Sequence, residues 1–152
     1  MNRVSLAVVL SGLMWAASFS AFSADGLVDK YSDDNLIQIL RQDGYGAVGK
    51  IKDGAIRFKV EGSTYVLYNQ QDGDLQLYYS LGGAKISFDV INEWNKTKRF
   101  SRAYLDSDLD PTLESDLLAN AGMTEKHVTE FISIFKISVS GFREFIIKNM
   151  QK

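Results

Sequence analysis

The 152-residue chain contains no cysteine, one histidine and one proline. The lack of cysteine excludes disulfides, thiol catalysis, thiolate metal sites and lipid attachment through a cysteine. The single histidine, His127, cannot build a histidine-cluster metal site, and no nucleophile-elbow motif accompanies it. We therefore interpret His127 as a surface residue, and the sequence predicts no catalytic, cofactor-binding or metal-binding residue.

The first 23 residues contain one charged side chain, Arg3. An uncharged run from Val4 to Phe22 follows, and small residues at Ala21 and Ser23 precede Ala24. This is the pattern of a secretory signal peptide cut before Ala24. The alternative is a membrane anchor that is retained. We expect a periplasmic or secreted protein, a signal peptide over 1–23 and one domain over 24–152.

Removal of that leader takes away one cation and no acid. The remaining chain holds 16 Lys and Arg against 19 Asp and Glu, a formal charge of −3. Such mild acidity gives no general attraction to nucleic acid or to anionic lipid. We expect no nucleic-acid partner, no membrane partner after cleavage and no cofactor.

Local signals predict three helices. Ser32, Ser87 and Thr124 are suitable N-cap residues, each placed before an apolar stripe with helical spacing. The second helix is predicted from Phe88 to about Lys98. The third is the longest, and its apolar face is wider than a small sheet needs.

Turn signals at Asp53-Gly54, Glu61-Gly62-Ser63 and Asp72-Gly73 separate short runs of branched and aromatic residues, which predicts antiparallel hairpins. Two further strands are predicted over Phe100–Leu105 and Thr112–Leu118. The run Tyr65–Tyr68 is apolar without alternation, which indicates a strand covered on both faces or one that meets a partner.

The acids of 106–110 alternate as in a calcium-binding loop, but Pro111 and Leu117 stand where that loop needs glycine and glutamate. We interpret these acids as closing a turn, with a weak cation site as the alternative.

Aromatic residues offer a separate candidate, an interaction surface. Tyr65, Tyr68, Tyr78 and Tyr79 form either an exposed sheet-face cluster or ordinary packing. The candidate interaction surface consists of Tyr65, Tyr68 and Tyr78 with Phe142 and Phe145 of the last helix.

The stretch from Ile91 to Leu105, with Asn92, Trp94 and Asn95, resembles the core signature of the YbjN-type domain family. The order and spacing of further motifs, from Asn35–Leu40 through Glu114–Leu117 to Phe131, extend the resemblance over nearly all of 24–152. It implies an α+β fold like that of type III secretion chaperones. Three helices would pack on an antiparallel sheet of about five to six strands, in a family of sensory-transduction regulators without established catalytic residues.

Two function classes follow. The first is a non-enzymatic interaction or regulatory module that binds a protein partner, or a second copy as a homodimer, through a sheet edge or a helix face. The alternative is a small-ligand binder or hydrolase with a pocket near Trp94, Tyr104 and the acids of Asp106–Asp116. That alternative requires Trp94, Asp106 and Asp116 to converge on one concavity.

Within the stretch Ile91–Leu105, the side chains of Asn92 and Asn95 are predicted to hydrogen-bond neighbouring backbone.

Overall fold

The computed structural model describes residues 26–150, and the predicted signal peptide lies outside them. The elements are α1 (Asp33–Gln42), β1 (Gly46–Lys52), β2 (Ala55–Val60), β3 (Ser63–Asn69), β4 (Leu75–Ser80), α2 (Phe88–Thr97), β5 (Arg102–Leu105), β6 (Pro111–Leu117) and α3 (Glu125–Met150). All strand pairs are antiparallel, in the order β1-β2-β3-β4-β6-β5. The predicted α+β class and the antiparallel sheet with three helices are confirmed.

The helices begin at the residues that the sequence predicts. The Ser32 hydroxyl accepts a hydrogen bond from the Asn35 N–H, and Ser87 does the same for Val90. At the third helix the Thr124 hydroxyl accepts from the His127 N–H at 3.2 Å. Each cap satisfies a backbone donor that the first helical turn leaves unpaired.

All three helices pack on one face of the sheet. Alternate strand residues that point to this face form one core with the helices, among them Ile56, Phe58, Leu67, Leu77 and Leu113 from the strands and Leu36, Trp94, Phe135 and Phe142 from the helices. The opposite face of the central strands is half-exposed. Of the helices in residues 26–150, none combines the length and apolar character that crossing a bilayer requires.

Two predictions about strands need correction. The strand predicted from Phe100 begins at Arg102, because Phe100 adopts a left-handed conformation with φ of 64° that ends the preceding turn. Strand β3 alternates buried and half-buried residues, so its outer face is not covered within residues 26–150. Of the two interpretations given for Tyr65–Tyr68, coverage on both faces is therefore wrong for the described chain.

The Asn95 side chain joins α2 to β5. Its Nδ2 donates to the Ala103 carbonyl at 2.9 Å, and its Oδ1 accepts from the Ala103 N–H at 2.9 Å. The amide therefore pairs with the strand as another strand would. Asn92 is exposed and forms no hydrogen bond through its side chain with residues 26–150, so the predicted role holds for Asn95 and is wrong for Asn92.

The Asp33 carboxylate joins α1 to the first hairpin. It accepts from the Gly54 N–H at 3.0 Å and from Asn69 Nδ2 at 2.8 Å, and it lies 3.1 Å from Lys50 Nζ. Burial raises the pKa of Asp33, but these hydrogen bonds and the Lys50 ammonium outweigh it, so its pKa is lowered. The ionised form is therefore the one that the fold stabilises.

Replacement of Asn95 should show how much its two hydrogen bonds contribute to the stability of the fold. In the Asn95→Asp variant a carboxylate oxygen faces the Ala103 carbonyl, so the free energy of unfolding should fall by about 1–3 kcal/mol. Urea denaturation measures this change. Asn92→Asp adds the same charge on an exposed position of the same helix and should stay within about 0.5 kcal/mol of wild type. Equal losses in the two variants would contradict the role of Asn95.

The Asp33 site should make stability depend on pH. Because the folded-state pKa lies below the ordinary value of about 3.9, the stabilisation is present above that value and is lost as pH falls through the folded pKa. Asp33→Asn should therefore lose about 1–3 kcal/mol at neutral pH, with a smaller difference from wild type in acid. Denaturation of both chains across pH tests this, with Asp34→Asn, an exposed neighbour in the same turn, as the control. A difference that does not depend on pH would contradict the assignment.

Candidate interaction surfaces

The predicted interaction residues do not form one surface. Tyr65 is 3% exposed and packs edge-on against Phe135, with ring centroids 5.9 Å apart. Phe142 is fully buried against Trp94, and Phe145 is half-buried against the same indole. Tyr65 and Phe142 are core residues because they point to the face that the helices cover, so their assignment to the surface is wrong.

Tyr68 and Tyr78 lie on the opposite side of the sheet. Cross-strand register there places Arg57, Val66, Tyr78, Glu114 and Arg102 in one row across β2, β3, β4, β6 and β5. Tyr68 is beside this row, with its ring centroid 6.2 Å from that of Tyr78. We call this surface, defined by these six residues, the open sheet face.

Glu114 is the most buried charge of the open sheet face, at 7% exposure. Its carboxylate accepts from the Tyr104 hydroxyl at 2.6 Å and from the Arg102 guanidinium. Burial raises the pKa of Tyr104, and the hydrogen bond to Glu114 raises it further, so the phenol stays protonated as a donor. The Glu114 hydrogen bond also raises the pKa of Arg102. This carboxylate is held by β5 and serves the strand pairing.

The pocket required by the hydrolase alternative is not formed. Trp94 lies on the helix side of the sheet, whereas Asp116 lies on the opposite side, where it accepts from Gln76 at 3.0 Å. Asp106 closes its own turn by accepting from the backbone N–H groups of Asp108 and Asp110, at 3.0 and 2.9 Å. Because Trp94, Asp106 and Asp116 do not converge on one concavity, the geometry that this alternative needs is absent within residues 26–150.

A groove lies on the helix side, between α3 and the turn that follows α2. Its volume is about 430 Å³. We call it the helix groove and define it by Trp94, Lys98, Arg99, Phe100, Ile134 and Ile137. Apolar side chains form its walls, no acid of the described chain lines it, and two cations lie at its rim.

Phe100 and Ile137 expose most of their apolar surface at this groove, 62% and 71%. The φ of 64° at Phe100 is uncommon for an aromatic residue and costs on the order of 1–2 kcal/mol. The conformation is held on both sides, since the Phe100 carbonyl accepts from the Ser115 hydroxyl at 2.8 Å and Trp94 Nε1 donates to the Ser101 hydroxyl at 3.3 Å. The surrounding bonds thus keep this ring in solvent.

The two cations at the rim, Lys98 and Arg99, contact aromatic rings of the same groove. The Arg99 guanidinium lies 4.7 Å from the centroid of the Phe100 ring, and Lys98 Nζ lies 5.7 Å from that of Trp94. Cation–π contacts of this kind fix positive charge beside apolar surface.

The sequence placed Phe100 in a strand and gave no indication of the helix groove at this position. The wide apolar stripe of the last helix, which includes Ile134 and Ile137, was the signal that could have found it.

The sheet edges are poor sites for an added strand. Edge strand β1 has irregular register with β2 at two points, and it carries Lys50 and Lys52. The other edge, β5, has only four residues. Irregular, cationic and short edges are features that limit pairing with another chain. Of the predicted sheet edge and helix face, the helix face offers the better binding surface.

Comparisons with known proteins agree with this architecture. The family YbjN, described as "Putative bacterial sensory transduction regulator", matches residues 32–148. The crystal structure of YbjN, described as a putative transcription regulator from E. coli, is similar with a TM-score of 0.62 and 15% identity, covering 81% of this chain and 93% of that one. A search of curated proteins found no match. With the family pattern extending over most of its length, the chain belongs to the YbjN family.

Proposed function

We propose that this chain is an exported, non-enzymatic interaction module that binds a protein partner through the helix groove. The observation that carries the proposal is the exposed ring of Phe100, held in a left-handed turn beside Ile137 and the rim cations. An unfavourable backbone conformation that keeps an aromatic side chain in solvent costs stability. Because backbone strain of this kind clusters at functional sites, it supports a binding role for the Phe100 side chain.

The apolar walls of the helix groove require an apolar surface on the partner. Burial of Phe100, Ile134 and Ile137 against a partner contributes on the order of 1.5–3 kcal/mol for each fully buried side chain, before the cost of association. A helix that presents apolar residues at three- and four-residue spacing fits a groove of this kind. The partner therefore supplies an apolar helical stripe.

The cations at the rim of the helix groove determine the charge that suits the partner. Lys98 and Arg99 are both exposed, and no acid of residues 26–150 lines the groove to neutralise them. Acidic residues flanking the apolar stripe of the partner would pair with these two cations. Charge of this kind contributes mainly to the rate of association and to the choice of partner.

Three acidic side chains with structural roles support a non-enzymatic module. Glu114 accepts from Tyr104 and Arg102, Asp33 accepts from Gly54 and Asn69, and Asp106 accepts from turn backbone. These carboxylates hold strands, helices and turns together. The family description as a regulator agrees with this interpretation.

A photo-crosslinking amino acid at position 137 should capture the partner in cells that export the chain. The crosslinked protein is identified by mass spectrometry, and the Lys98→Glu and Arg99→Glu changes should lower its yield about fivefold or more. The matched control places the probe at Ile51, a similarly exposed isoleucine on edge strand β1. The same products from positions 137 and 51, or yields that do not respond to the charge changes, would contradict binding at the helix groove.

Export predicts a defined N-terminus. When the full chain is produced in a bacterium, osmotic shock should release a protein whose intact mass corresponds to residues 24–152. Ala21→Arg places a large side chain three residues before the cut and should leave the leader attached, because the peptidase requires a small residue there. Recovery of wild type in the membrane fraction with residues 1–23 still attached would identify a retained anchor instead.

A further inference from the structure

We infer that the partner helix crosses α3 at Gly141, and that the lack of a side chain at this position determines which partner the helix groove accepts. The inference rests on the proposed function, since the occupant is the same apolar helix flanked by acidic residues. Gly141 lies in the interior of α3 and lines the helix groove together with Trp94 and Ile137.

The backbone of α3 gives no reason for a glycine at this position. Glycine in the interior of a helix is less favourable than alanine, because it loses more conformational freedom on folding. Gly141 does not have a positive φ, and α3 runs as one α-helix from Glu125 to Met150. Any residue that favours helices could adopt this conformation.

Packing within the fold does not require the glycine either. Apart from the neighbouring backbone of α3, a Cβ built on Gly141 would come within 4 Å of one atom of residues 26–150, Cη2 of Trp94, at 3.8 Å. This distance is ordinary van der Waals contact, so alanine fits. By contrast, a Cβ on Gly54 would lie 2.9 Å from the Asn69 carbonyl oxygen, and the turn there does require glycine. The side chain missing at position 141 leaves space at the surface of α3.

A second cavity lies on the other side of Gly141. Its volume is about 800 Å³, and it lies between α3 and the turn that joins β2 to β3. We call it the turn cavity and define it by Glu61, Ser63, Lys136, Ser140, Arg143 and Glu144. Ile137 and Gly141 line both this cavity and the helix groove. The two cavities therefore meet at these two residues.

Ile137 and Gly141 form a ridge and a notch on the outer face of α3. They are about one helical turn apart, so they lie one above the other on the same face. Ile137 is 71% exposed, and Gly141 beside it has no side chain. The distance between two packed helices depends on the side chains at their crossing, so a partner helix can approach most closely at the notch. A helix that crosses there packs against Ile137 and extends from the helix groove into the turn cavity.

The lining changes from apolar to polar on the far side of the notch. Ser140 and Glu144 are exposed there, and Arg143 Nη1 donates to the Ser63 hydroxyl at 2.7 Å. The turn cavity carries both acids and cations, whereas no acid of residues 26–150 lines the helix groove. The apolar stripe of the partner helix should therefore end near the crossing, with a polar segment beyond it.

Substitutions at position 141 should change stability and binding in opposite directions. Gly141→Ala should raise the melting temperature by about 2–5 °C, because alanine favours the helix and fits beside Trp94. In cells that export the full chain, a photo-crosslinking amino acid at position 134 should capture the partner about threefold less from Gly141→Ala and at least tenfold less from Gly141→Leu. Lys126→Leu adds the same side chain at an exposed position of α3 that lines neither cavity, and it should leave the yield unchanged.

Probes at other positions of α3 measure how far the partner extends. A photo-crosslinking amino acid at Ser140, in the turn cavity, should capture the same protein as one at Ile137. A probe at Lys126, about 22 Å from Gly141 along the helix axis, should capture none of it. Thermal melting followed by circular dichroism shows whether each variant is folded, and Gly141→Ala decides the test if Gly141→Leu is not.

The outcomes separate this inference from the proposed function. A lower melting temperature for Gly141→Ala would show that the fold itself needs glycine and would overturn the inference. Capture from Ile137 that does not respond to either change at Gly141, with no capture from Ser140, would overturn the inference alone and leave the proposed function standing. No captured protein from positions 134 and 137 of wild type would contradict the proposed function, and this inference with it.

Discussion

The pair of hydrogen bonds between the Asn95 amide and the backbone of Ala103 is the constraint on which both surfaces depend. It fixes β5 against the end of α2, and only three residues separate Phe100, at the helix groove, from Tyr104 on the other side of the sheet. With β5 fixed, Tyr104 and Arg102 can hold the Glu114 carboxylate. One amide side chain therefore positions an exposed ring on one side and a buried carboxylate on the other.

The fold leaves the two sides of its sheet with different chemistry. The helix side buries a continuous core, and what remains exposed there is a groove with apolar walls and cationic rims. The other side combines central apolar residues with Arg57 on one flank and the Glu114–Arg102 ion pair on the other. Apolar surface that no acid of residues 26–150 lines suits an acidic partner, whereas the buried carboxylate on the other side is already paired within the chain.

Local chemistry made much of the fold predictable. Helix starts depend on single hydroxyls at Ser32, Ser87 and Thr124, and these signals act over three residues, so the sequence carries them directly. The surfaces depend on long-range bonds. Phe100 adopts its conformation because Ser115, fifteen residues away, holds its carbonyl. No local pattern predicts that bond, so the sequence placed Phe100 in a strand.

The same distinction explains the tyrosines. Tyr65 and Tyr68 differ by an odd number of positions, so a regular strand sends them to opposite faces, and Tyr65 enters the core while Tyr68 stays outside. The spacing alone predicts that the two rings separate. It does not predict which ring is buried, because the face that the helices cover is decided by packing between elements far apart in the chain, such as that of Tyr65 against Phe135 of α3.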